Sequence, residues 1–217
     1  MSKFRRQLMM ANVGEAPTPP TPVLPYDAQV EYLQSDGIAY IDTGYFINYN
    51  STDVVEEKCR LAYTVTNVRQ LNGSNGLGYW GITSGGKWEC AKGASTTSAG
   101  TSWHNISFNY YKGSNGKGHV SLIVDNTSVK SGDETISNSD NYAIFIYAIG
   151  GRNNAAAQLF SKEKISEYQL VINSVTVRDY IAVRKDGVGY LYDKVSETLF
   201  GNANSTGAFI YGNDVTT

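Results

Sequence analysis

The sequence predicts an all-β domain, an antiparallel sandwich or barrel, and three observations carry that expectation. About a dozen short runs rich in β-branched and aromatic residues recur between turn signals, and nothing after residue 25 shows the polar and apolar stripes of a surface helix. Composition agrees, with 22 glycines in 217 residues, 41% hydrophobic and 18% charged, a balance tilted toward turns and away from long helices. The third is Ala143–Ile149, which carries neither charge nor amide. It is too short for a buried helix, is bounded by Asn-rich sequence and a glycine pair, and reads as a strand buried on both faces. Gly150-Gly151 is expected to let the chain leave the sheet through angles that other residues resist.

Taken in order, the chain divides at its prolines. Pro17, Pro19, Pro20, Pro22 and Pro25 are its five prolines, so residues 1–25 read as an arm and a stiff extended linker, and 26–217 as the folded body. Lys3, Arg5 and Arg6 have no acidic neighbour before Glu15, and Phe4 and Leu8 share one helical face. These five residues read either as a frayed terminus or as an anchor that orders on a larger assembly.

In the body, Ala28–Leu33 and Ile38–Thr43 are expected as a hairpin turning at Ser35-Asp36-Gly37. Lys58–Val65 alternates polar and apolar, as a half-buried strand does. Glycine-punctuated hairpins follow through Gly73–Trp80 to Lys87–Ala91, then a run of small and hydroxylated residues, 91–102, read as a mobile loop. Trp103, Asn105, Ser107 and Asn109 fall on one face of the next strand, and His104, Ile106, Phe108 and Tyr110 on the other. Gly113–Gly118 repeats the pattern of Gly73–Gly78; strands follow both copies, so they read as hairpin turns and not as phosphate-cradling loops. Beyond the apolar strand, hairpins are expected at Asn173-Ser174 and Lys185-Asp186-Gly187, then short strands at Thr198–Phe200 and Ala208–Tyr211.

Charge and cysteine content exclude several classes. A formal charge of −2 gives no general attraction to a phosphate backbone, so a nucleic-acid partner is not expected. No window is long and apolar enough for a membrane-spanning helix, and the apolar run after the basic start is too short for a secretory signal. Cys59 and Cys90, 31 positions apart, form neither a zinc nor a redox motif; they read as two buried free thiols or a cross-strand disulfide. His104 and His119 have no Ser or Cys nucleophile at a recognisable spacing. One strand presents two carboxyl groups on a single face at i and i+2 or at i and i+4, and no Asp or Glu has another acidic residue two positions on. Catalysis is not expected.

Trp103-His104 followed by Ile106, Phe108 and Tyr110, then Val120–Asn126, then Ile149-Gly150-Gly151, resembles the core of laminin-G-like domains in the concanavalin A-like lectin/glucanase superfamily. Asn126 stands where that family usually has glycine. Glu31–Gly37 with Tyr40–Gly44, and Val177–Tyr180 through Gly189–Asp193 to Leu199–Asn202, look like a subgroup found in gut Bacteroides-type bacteria and their tailed phages. The resemblance covers most of residues 26–217. It implies a two-sheet antiparallel jelly-roll sandwich with an extended N-terminal arm, binding glycans or proteins through rim loops or along the concave sheet. It also implies that the chain is a virion protein, a capsid or tail accessory docked through its arm in an oligomeric assembly; the alternatives are a structural decoration protein, a bacterial surface adhesin and, last, a polysaccharide hydrolase, since some members hydrolyse polysaccharides. Many such domains bind calcium, and Asp42, Asp125, Asp133 and Asp140, in turn-like sequence, are the candidate ligands. For glycan, Tyr79, Trp80 and Trp88 near glycine turns are the candidate platform, with Arg152 and Asn153 in a second polar loop. Trp80 and Trp88 read equally as cross-strand packing partners.

Overall fold

The computed structural model describes residues 24–136, 140–151 and 156–215. Among them are 18 strands and no helix. The first half contributes β1 (Ala28–Gln29), β2 (Leu33–Ser35), β3 (Ile41–Asn48), β4 (Val55–Ala62), β5 (Gln70–Ser74), β6 (Tyr79–Ile82), β7 (Lys87–Cys90), β8 (Gly93–Ser98) and β9 (Trp103–Lys112). The second half contributes β10 (Gly118–Val124), β11 (Thr127–Glu134), β12 (Asn141–Ile146), β13 (Ile149–Gly150), β14 (Lys164–Ile172), β15 (Val175–Lys185), β16 (Val188–Asp193), β17 (Thr198–Phe200) and β18 (Phe209–Tyr211).

They form two sheets packed face to face, a β-sandwich. The larger runs β11-β10-β9-β4-β14-β15-β16-β17, with β2 joining β14 to β18 and β1 beside β15. The smaller runs β3-β12-β5-β6-β7-β8. All pairings are antiparallel except that of β13 with β5. Between the sheets lies one core: Cys59, Leu61, Phe108, Leu122, Tyr168 and Leu170 from the large sheet meet Ile41, Trp80, Ile82, Trp88, Tyr142 and Ile144 from the small one. Cys59 and Cys90 are free, buried thiols. Seven of the 16 tyrosines, Tyr49, Tyr63, Tyr110, Tyr142, Tyr147, Tyr168 and Tyr180, are buried. Several hide their hydroxyls by donating to carbonyls, as Tyr147 does to Leu33 and Tyr110 to Tyr49, both at 2.6 Å.

Turn chemistry sets the strand order of the large sheet. Asp125-Asn126, Asn173-Ser174 and Asp186-Gly187 all have positive φ and link β10–β11, β14–β15 and β15–β16 as two-residue hairpins whose twist matches that of the strands. Asn126, at φ 64°, takes a left-handed angle that asparagine tolerates better than most residues.

Three local expectations are corrected. The segments read as one hairpin around Ser35-Asp36-Gly37 belong to different sheets: β2 pairs with β14 and β18, and β3 pairs with β12. The Asp36 carboxylate holds the bend by accepting from the N–H groups of Ile38, Ala39 and Ala208. Part of the run read as a loop, Gly93–Ser98, is the edge strand β8 on β7. The apolar stretch is buried on both faces as expected, its second face covered by Tyr40, Ala157 and Phe160, but it is not one strand. The chain breaks at Tyr147, whose φ is 69°, and returns as β13; neither Gly150 nor Gly151 has a positive φ. Gly150 is needed for a different reason, since a Cβ there would lie 1.9 Å from the Ala143 carbonyl oxygen.

No helix among the described residues is long and apolar enough to cross a membrane.

Candidate functional site

The outward face of the large sheet carries the most developed surface among the described residues. Strand alternation puts Ile106, Phe108 and Tyr110 of β9 into the core and leaves Trp103, Asn105, Ser107 and Asn109 facing out. On β4 the same alternation buries Glu57 and Cys59 and turns out Glu56, Lys58 and Arg60; on β14 it turns out Glu167 and Gln169. Register then aligns these side chains in rows. Asp179, Gln169, Lys58, Ser107 and Ile123 stand opposite one another across five strands. Glu167, Arg60 and Asn105 form the next row, and Glu56, Asn109 and Ser121 another. Neighbours in a row are about 4.8 Å apart, and Trp103 to Asn109 spans roughly 20 Å along the strand. A groove of about 390 Å³ runs over the first two of these rows.

The groove adjoins a second opening of about 500 Å³ that shares Arg60 and Glu167 with it and is flanked by Tyr32, Trp103 and Lys164. Here two aromatic rings reach solvent. Trp103 is 37% exposed, and its ring lies 6.4 Å from that of Tyr32. The Arg60 guanidinium sits over Trp103, 4.7 Å from the ring centroid, and the Lys164 ammonium over Tyr32 at 4.2 Å. These contacts restrain both rings, Trp103 on β9 and Tyr32 just ahead of β2.

Polar groups on these rows differ in how far they are already engaged. Glu56 takes a 2.8 Å ion pair from Lys58 and a hydrogen bond from Ser107, and Asp179 pairs with Lys194 at 2.8 Å. The side chains of Asn105, Glu167 and Gln169 have no hydrogen-bond partner among the described residues, although β4, β9 and β14 hold them in register. The surface therefore offers aromatic faces at one end and, beyond them, free amide donors and acceptors beside a free carboxylate, a combination suited to hydroxyl-rich ligands.

The platform expected at Tyr79, Trp80 and Trp88 is not a surface. Trp80 and Trp88 are 0% and 1% exposed, so neither presents a face to a ligand. Trp80 packs opposite Cys90, and Trp88 opposite Ile82 and against Tyr63 and His104. The Trp80 indole N–H donates at 2.7 Å to Glu57 Oε2, which also accepts from the Tyr168 hydroxyl at 2.7 Å. Tyr79 is half-buried beneath Arg69, itself held on Glu89. Arg152 and Asn153 of the second loop, and Lys3, Phe4, Arg5, Arg6 and Leu8 of the arm, lie outside the described residues.

Two carboxyl groups that the sequence does not single out, Glu57 and Glu163, are core residues. Burial pushes the Glu57 carboxyl up to about 7, against the pull of its bonds from Trp80 and Tyr168. Burial also raises Glu163, whose Oε1 accepts from Asn72 at 2.8 Å. Sequence offers one signal for Glu57, its place on the apolar side of an alternating strand, and hardly any for Glu163.

The histidines and turn aspartates are occupied with each other. His104 contacts Asp125 through Nδ1 and the Ala99 carbonyl through Nε2, both at 2.7 Å, and His119 contacts Asp133 through Nδ1 at 2.7 Å. Asp125 also accepts from the Asn105 N–H, Asp133 from Asn115, and Asp42 from the Gly44 N–H. No group of three or more His, Cys, Asp or Glu side chains able to hold a metal ion occurs among the described residues, so the aspartates suggested for calcium do not fit a shared site.

No family model matches the chain, and no curated protein matches it.

Proposed function

We propose that this protein is a non-catalytic glycan-binding module with a jelly-roll sandwich body, carried on a larger particle through its N-terminal arm. One observation carries the reading: solvent-facing Trp103 and Tyr32 rings stand at the end of a groove whose Asn105, Glu167 and Gln169 side chains are unengaged. An apolar sugar face stacks on the aromatic end, and its hydroxyls meet the free amides and carboxylate along the rows.

The state of the acids on these rows supports binding over hydrolysis. Glycosidic cleavage needs two carboxyl groups across one bond. Glu56 is tied to Lys58 and Ser107, and Asp179 to Lys194, which leaves Glu167 as the single unpaired carboxylate of the rows. The particle is a phage virion, on the resemblance of the body and the basic arm; a bacterial cell surface is the alternative setting.

A glycan array with the full chain and Trp103→Ala tests the reading. Wild type should bind at least one glycan class, and the variant should bind it at least about tenfold more weakly, as loss of an anchoring aromatic does, with its thermal unfolding unchanged. Binding that ignores Trp103, or no binding under several ionic conditions, overturns it. Release of new reducing ends from a bound polysaccharide would replace the module with a hydrolase.

A further inference from the structure

We infer that the sugar held at the Trp103 end of the groove is acidic, a uronate- or sialate-type residue whose carboxylate docks on Arg60. This rests on the glycan-binding reading above and adds the class of sugar to it.

Four arginines fall among the described residues, and three already hold carboxylates. Arg69 is bound to Glu89, Arg184 to Asp214 and Asp27, and Arg178 to Asp193. Arg60 alone has no carboxylate within ion-pair distance, although Glu167 stands directly opposite it on the next strand. Its guanidinium instead lies over the Trp103 ring. The guanidinium makes no hydrogen bond or ion pair among the described residues, so its N–H fork is left to match two carboxylate oxygens at once. Lys164 is in the same condition: its ammonium rests on Tyr32 without an acidic partner, and it borders the same opening.

Anion preference here comes from donor geometry and not from a general positive field. The opening also contains Glu31, which is bound to Asn213, and Glu167, so its formal charges cancel. Glu167 and the free amides are left as acceptors and donors for hydroxyls. A sugar stacked on the Trp103 and Tyr32 rings with a carboxylate at its rim would meet the guanidinium edge where Arg60 crosses Trp103. A neutral sugar would leave those donors to water.

The test uses the full chain in titration calorimetry against oligogalacturonate, oligomannuronate and sialyl-lactose, each beside its carboxyl-reduced form, with neutral malto- and cello-oligosaccharides. At least one acidic probe should bind about tenfold or more tightly than its reduced partner, the difference that a charge-assisted pair provides. Arg60→Lys, which keeps the charge and loses the fork, should erase most of that difference, weakening the acidic probe far more than its reduced form. Trp103→Ala should weaken both forms. If acid and reduced forms bind alike and both depend on Trp103, or only neutral sugars bind, the acidic assignment is overturned and the glycan-binding reading stands. If no probe of either kind binds, both fall.

Discussion

Glu57 shows how one side chain ties the core to pH. It is buried between the sheets with two neutral donors, Trp80 Nε1–H and the Tyr168 hydroxyl, on one oxygen and no cation beside it. The folded protein therefore holds its proton up to about pH 7, while the unfolded chain releases it near 4.5. Between those values the native state binds more protons, so stability falls as pH rises, by about 3 kcal/mol across the window for this group. Glu163, also raised by burial, adds a fall of the same sign. Asp125, held low by its hydrogen bond with His104, and Asp214, held low by Arg184, act in the opposite sense, but their contributions are lost only in acid below the usual aspartate value of 3.8. Denaturant midpoints between pH 4.5 and 7.5 should thus decline, and Glu57→Gln should flatten part of the decline; an unchanged slope would show that the carboxyl is ionised in the native state. Little of this was legible beforehand. The outward set Trp103, Asn105, Ser107 and Asn109 could be read from one strand, because alternation is local. Which strands flank it, and hence that Arg60 meets Trp103, depends on pairings across some 45 residues of sequence between β4 and β9.

At the level of elements, the crossing of β12 and β13 is the tightest joint of the small sheet. Tyr147 reverses the chain in a left-handed conformation, its N–H donating to Asn72 Oδ1 and its hydroxyl to Leu33. β13 then lies so close to β12 that the Ala143 carbonyl fills the place of a side chain at residue 150. Gly150→Ala cannot be absorbed by moving a flexible side chain, so it should cost about 3 kcal/mol or more, at the upper end of overpacking penalties. Gly116→Ala is the comparison: φ is +74° there but nothing lies within 4 Å of an added Cβ, so only backbone strain of about 1 kcal/mol is expected. Equal unfolding midpoints for the two variants would remove the crossing as a determinant of stability. Sequence exposed the burial of this stretch, since seven consecutive uncharged residues have nowhere else to go. It hid the break, because an ordinary tyrosine takes the unusual angle while the adjacent glycine pair, the conspicuous signal, does not. The edge strand β8 was hidden for a related reason: its small, hydroxylated residues have no hydrophobic period, and it is held by backbone pairing to β7 and by Lys130 reaching the Ala94 carbonyl.

For the whole molecule, sheet membership was the part that local pattern could not supply. Two of the three two-residue hairpins were expected from Asn173-Ser174 and Asp186-Gly187 at the turns, yet β2 and β3, neighbours in sequence, separate into opposite sheets because their partners come from β14, β18 and β12. Within that arrangement the outer face of the large sheet is shaped by β4, β9 and β14, none of which needs residues 1–25 for its pairing. Removing residues 1–25 should therefore leave the thermal unfolding and glycan affinity of the body unchanged within about 1 kcal/mol, since exposed termini add little unless docked. The same deletion should abolish incorporation into particles if Lys3, Arg5 and Arg6, with Phe4 and Leu8, form the anchor, and charge reversal of the three basic residues alone should reduce it. Assembly assays on the deletion and on the triple Glu variant separate two cases: incorporation lost by both with glycan binding intact marks the arm as the docking element, whereas undiminished incorporation transfers that role to the sandwich surface.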